Sequence, residues 1–236
     1  MKRIQIIILL LGIASLHALS QTYKIDTSEL SFENKLRPCL SVFYDASAKT
    51  TKSAWVKFFK KNYKINVKGL GLLSNKDIIE AKDITIGSIS DKRMNMYARV
   101  IDQVKGSEMK FFMSFGYDFF IGPADYSKEF GGMKIILNDF SVKFLNNYYA
   151  SEASSLTRKI KKLEKDQKSK RNDISKNLKK ARKESSAVAT GLEVKNNSIQ
   201  REIEEIDTEI KNIKTELEEL PNSFCLSKGV RLSYLI

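Results

Sequence analysis

An unbroken heptad row near the C-terminus narrows the fold more than any other feature of the chain. In "IQREIEEIDTEIKNIKTELEEL", residues 199–220, Ile199, Ile203, Ile206, Ile210, Ile213, Leu217 and Leu220 recur at alternating steps of four and three. That spacing draws one apolar stripe along an α-helix, and the stripe needs a second helix to cover it. A strand is excluded, because its side chains return to the same face every second residue.

A covering helix is encoded in the same chain. Leu156, Ile160, Leu163, Gln167, Arg171, Ile174, Leu178 and Ala181 keep the same rhythm, with one slip between Gln167 and Arg171, where the row also turns polar. The charges of the two arms are opposite. Residues 151–190 hold 13 basic and 5 acidic side chains, and residues 191–220 hold 4 basic and 9 acidic. Side chains flanking the seam can therefore meet with opposite sign, whereas basic arm against basic arm in a parallel dimer would repel. Folding the arms together pairs Leu163 with Ile213, Ile174 with Ile203 and Leu178 with Ile199. It puts the turn near residues 186–192, where Gly191 suits a helix end. The expectation for 151–220 is an antiparallel coiled-coil hairpin, each arm about 40 Å long from roughly 27 residues. A single long helix that dimerises is the alternative.

The N-terminus sets the compartment. Met1, Lys2 and Arg3 precede the apolar run "IIILLLGIASL", and Ala18 and Ser20 supply small residues ahead of Gln21. This is the layout of a secretory signal peptide over residues 1–20, and the run is shorter than the ~20 apolar residues of a spanning helix. Periplasmic or extracellular location is expected. The single histidine, His17, leaves with that segment. Without histidine, the mature chain has no Ser-His-Asp or Cys-His nucleophile system and no histidine-ligated metal site, and no cofactor is expected.

Nearly all the aromatic residues fall in residues 21–150. In "SEMKFFMSFGYDFFIG", Met109, Phe111, Met113, Phe115, Tyr117, Phe119 and Ile121 alternate with mostly polar neighbours, which predicts one long half-buried strand with a bulge or bend at Gly116. Phe112 and Phe120 interrupt the polar side, so that side is expected to be partly covered. "CLSVFYDAS" reads as a strand entering a helix capped by Ser47, with Trp55, Phe58, Phe59 and Tyr63 on one stripe. "INVKGLGLL", "DITIGSI" and "NMYARVIDQV" read as further strands, and Phe130, Met133, Leu137, Phe140, Phe144 and Tyr148 as a second amphipathic helix. The expected class is α+β: an antiparallel meander with two packed helices on one face, followed by the hairpin.

Beyond Pro221, "FCLSKGVRLSYLI" alternates as a short strand, expected in residues 221–236 to rejoin the sheet of the first domain. That return would carry Cys225 towards Cys39. Two readings of the cysteines stand: one Cys39–Cys225 disulfide, as export permits, or two buried thiols. The layout of signal peptide, basic composition, strands at the root, charged helical hairpin and returning strand resembles that of the periplasmic Skp-type chaperones. The likeness is one of architecture, carried by no shared motif, and the root domain here is far larger. It implies a protein-binding hairpin and assigns no residue a role.

Asp77, Glu80 and Asp83 in "DIIEAKD" are acidic neighbours, and a pair of carboxylates can in principle cleave glycosides, although spaced carboxylates are common on solvated turns. "GLGLL" lacks the third glycine of a dinucleotide fingerprint. A formal charge of +13 could draw nucleic acid without specificity, but export removes that partner and the acidic arm offsets much of the basic one. The reading reached is an exported, non-enzymatic envelope protein acting through protein contacts as an adaptor, spacer or clamp. Other envelope proteins are its expected partners, together with an anionic lipid or polysaccharide surface. The rival is a domain that binds a small ligand, or binds or hydrolyses a glycan, through its aromatic-rich part.

Overall fold

The computed structural model describes residues 23–69 and 78–221. The class is α+β: among the described residues there are a five-stranded antiparallel sheet and three helices, two of which form a long hairpin. The elements are β1 (Asp26–Phe32), β2 (Lys35–Tyr44), α1 (Ala48–Tyr63), β3 (Ile78–Ile86), β4 (Ser90–Asp102), β5 (Ser107–Ser114), α2 (Ser127–Ala181) and α3 (Ser186–Glu219). The chain divides into two compact units at Asn146/Asn147, a point inside α2.

The sheet order is β1-β2-β5-β4-β3. It departs from the expected plain meander, because β5 closes against β2 and so joins a β1–β2 hairpin to a β3–β4–β5 meander. The β1–β2 turn is Glu33-Asn34, both at positive φ, which is the backbone twist that a two-residue hairpin requires. Sequence reasoning missed β1, whose only buried side chain is Leu30.

One face of the sheet carries the main core. Leu40, Val42, Met109, Phe111 and Met113 are fully buried there, together with Met96, Ala98 and Val100 of β4. Trp55 of α1 packs on Phe111 at 5.1 Å and on Phe140 of α2 at 4.8 Å between ring centres, so both helices cover this face. Ser47 caps α1 by accepting from the Thr50 amide, and the Ala48 amide donates to Asp102 at 2.7 Å. Burial raises the Tyr44 hydroxyl pKa, and a 2.6 Å hydrogen bond with Ser141 satisfies the hydroxyl. At the β4–β5 turn Gly106 is at φ 88, and a Cβ there would lie 2.0 Å from the Tyr44 carbonyl oxygen, so the turn accepts only glycine.

The expected long strand is shorter than its alternation predicted. β5 stops at Ser114, and the chain turns at Gly116 (φ 105) and Tyr117 (φ 46) to return alongside itself, with Phe120 bridged to Ser114. The apolar alternation does not carry burial through this turn: Tyr117 is 96 % and Phe119 61 % exposed, whereas Phe120 is buried. The returning chain covers the second face of the sheet. Phe120 closes over Leu30, Cys39, Tyr97 and Phe112, with Phe32 and Ile78 at the margin. Arg37 lies 4.2 Å above the Phe120 ring and bonds Asp118 at 2.7 Å, which fastens the loop. Burial pushes the Cys39 thiol in this cluster up to about 11.

Of "INVKGLGLL", residues 65–69 are described, and there Lys68 bridges Glu80 of β3 through two backbone hydrogen bonds. "DITIGSI" spans the end of β3 and the turn into β4, with a register shift at Asp83, which is at φ 56. The signal peptide expected in 1–20, Asp77, Cys225 and the strand expected in 221–236 lie outside the described residues, apart from Pro221 itself.

Candidate functional site

The hairpin unit is built from the far part of α2 and all of α3. The helix expected at 130–148 and the basic arm are one continuous helix, and no proline interrupts the run from Ser127 to Ala181. α3 has 34 residues, about 50 Å at ~1.5 Å each, so the arm is longer than the sequence suggested.

The turn corrects the expectation of 186–192. α2 ends at Ala181 and α3 begins at Ser186, with Ser185 at the N-cap position in an extended conformation. "SSAVATGLEV" is therefore almost entirely helix. Its alanines favour helix strongly enough to carry Gly191 inside, at a cost of about 1 kcal/mol. The earlier turn slides the arms by about one helical turn from the expected pairing: Asn177 bonds Asn196 at 2.9 Å, and Lys170 bonds Glu202.

The seam divides into two stretches. In one, Ile160, Ile206, Ile210 and Ile213 form a buried cluster flanked by Leu156 and Leu163, and Ile203 is buried beside it. Toward the turn, Ile174 and Ile199 are half-buried, as are Leu217 and Leu220 at the other end. Leu178 departs from its expected seam role and is 52 % exposed. Asn196 is the buried residue of this stretch, one heptad step before Ile199.

Opposite charges meet beside the seam as the two compositions required. Lys159 reaches Glu209 at 2.8 Å, Gln167 bonds Asp207 at 2.6 Å, Arg171 approaches Asp207 at 3.9 Å, and Lys170 pairs with Glu202. The hydrogen bond that Lys159 donates to Glu209 raises the pKa of Lys159, and the one that Lys170 donates to Glu202 raises that of Lys170. These groups are exposed or half-buried, so they orient the arms more than they bind them. The polar break at Gln167 and Arg171 was legible in the sequence. The Asn177–Asn196 pair was missed, although stepping back one heptad interval from Ile199 lands on Asn196.

The other sequence candidates belong to the sheet unit. Glu80 pairs with Lys82, and Asp83 pairs with Arg93 across the β3–β4 ladder, so each carboxylate has its own base. Among the described residues no group of histidine, cysteine, aspartate and glutamate could hold a metal ion, and no helix is long and apolar enough to cross a membrane. Comparison with protein families, with curated proteins and with solved structures finds no match.

Proposed function

We propose that this chain is an exported, non-enzymatic envelope protein that works by contacts made along the hairpin. The reading is supported by one observation above all: the isoleucine row of α3 is covered by the basic arm of the same chain. A seam closed in this way is unavailable for assembly, so what the hairpin offers to partners is its outer surface, rich in Lys161, Lys162, Lys165 and Lys168 on one arm and in Glu204, Glu205 and Glu216 on the other. A long two-signed surface without a catalytic constellation suits an adaptor, a spacer or a clamp. The export signal read at residues 1–20 assigns those contacts to envelope proteins.

Photo-crosslinking side chains placed at Lys161, at Lys165 and, for comparison, at Lys57 on α1 test this in intact cells. Discrete protein adducts from the two hairpin positions are expected. Adducts from Lys57 alone, or none from any position, would overturn the proposal.

A further inference from the structure

The interarm ion pairs stop short of the turn. The last is Lys170–Glu202, and beyond it the arms meet through the neutral Asn177–Asn196 bond. The acidic run of α3 begins only at Glu202, so the bases nearer the turn face no acidic row. Residues 176–195 hold Lys176, Lys179, Lys180, Arg182, Lys183 and Lys195 against Glu184 and Glu193 alone. Among the described residues Lys179, Lys180, Arg182 and Lys183 make no ion pair. The same stretch bares aliphatic side chains: Leu178 is 52 %, Val188 42 % and Val194 65 % exposed.

We propose that this turn end of the hairpin docks on an anionic lipid surface. Bases without acidic partners are drawn to the negative potential of such a surface, and aliphatic side chains set among them enter the boundary between headgroups and acyl chains. The arrangement argues against the other anionic partners. A helix-groove partner reads a stripe at three- and four-residue spacing, whereas Val188 and Val194 are six apart and so point to different sides of α3. An acidic polysaccharide would answer the lysines and leave the valines without a role. The proposal rests on the hairpin being the presenting element, as argued above, and export decides only which membrane it meets.

Vesicle co-sedimentation tests it, using the chain from Gln21 to Ile236, the form left by the expected cleavage. Vesicles of phosphatidylglycerol and phosphatidylcholine in a roughly one-to-two ratio should bind it, and pure phosphatidylcholine should not. Replacing Lys179, Lys180, Arg182 and Lys183 together with Gln should lower binding about a hundredfold, while Gln at Lys161, Lys162, Lys165 and Lys168 should lower it less than about tenfold. Val188→Ser with Val194→Ser should cost about tenfold with the charges intact. Circular dichroism should show the same helix content in every variant. Four results would overturn the proposal: no binding to anionic vesicles, equal binding to neutral ones, equal loss from both lysine sets, or a valine variant that binds as before and is displaced by dextran sulfate. Loss of vesicle binding with the envelope crosslinks intact would defeat lipid docking alone, and the converse would defeat the protein-contact role alone.

Discussion

The sheet unit and the hairpin unit solve the same problem with different physics. In the first, apolar side chains cover both faces of the sheet, and Trp55 is enclosed by Phe58, Phe59, Phe111 and Phe140. In the second, a narrow seam of isoleucines flanked by Leu156 and Leu163 carries most of the apolar contact, and charged and neutral polar pairs line it. A wide core is specified many times over, so its geometry is rigid and insensitive to salt. A one-row seam fixes which faces meet but fixes the sliding position weakly, and polar contacts must set the register.

The largest expected effect separates the two units by substitution. Trp55→Ala should destabilise the sheet unit by about 3–5 kcal/mol and Ile203→Ala the hairpin by about 2–4 kcal/mol. Peptide-level hydrogen exchange should place the first loss in β2, β5 and α1 and the second in residues 156–213, without spread from one to the other. Exchange that rises equally in both units for either substitution would remove the distinction.

Next in size is the asparagine pair. Asn177→Leu with Asn196→Leu should raise hairpin stability by about 1 kcal/mol in chemical denaturation while loosening its register, because a part-buried polar pair in a seam trades stability for alignment. A double variant that is less stable would show the pair to be a source of strength.

The sequence made this contrast only partly legible. Heptad spacing and arm charge located the seam because an apolar stripe and its flanking charges are local, additive signals. Leu178 was misjudged for the same reason: periodicity reports which face a residue lies on and is silent about how much the opposite arm covers. The turn was misplaced because Gly191 reads as a stop signal only when its neighbours do not favour helix, and here alanines do. In the sheet unit, alternation found β5 but could not distinguish one long strand from a strand and its own return, since Phe115 to Ile121 keep the period through a turn at positive φ. β1 was invisible because an edge strand with one buried side chain carries almost no pattern. The closure of β5 on β2 is a long-range pairing that no local pattern encodes.

The smallest effects lie at the extremes of pH and fall on different units. Hydrogen bonds from Lys35 and Arg37 lower the pKa of Asp118, so the fastening of the Phe120 loop is complete above the ordinary value of 3.8 and is lost as pH falls through the lowered one. Lys159 and Lys170 are shifted the other way. Their contribution is complete below 10.5 and is lost as pH rises through the raised values. Exchange in residues 115–121 should therefore rise only once pH falls below 3.8, and alkali should speed exchange in the hairpin only once pH rises above 10.5, read as local exchange rates corrected for pH. Loosening of residues 115–121 already above 3.8, or of the hairpin pairs by alkali already below 10.5, would contradict the assignment of these charges.

Closure of the seam within one chain is tested most directly by crosslinking Asn177→Cys to Asn196→Cys with a short bis-maleimide, in a Cys225→Ser background that leaves the buried Cys39 in place. The expected product runs as a monomer on a denaturing gel, and its yield is unchanged on dilution. Product that runs only as a dimer, and disappears on dilution, would mean that the two arms belong to different molecules.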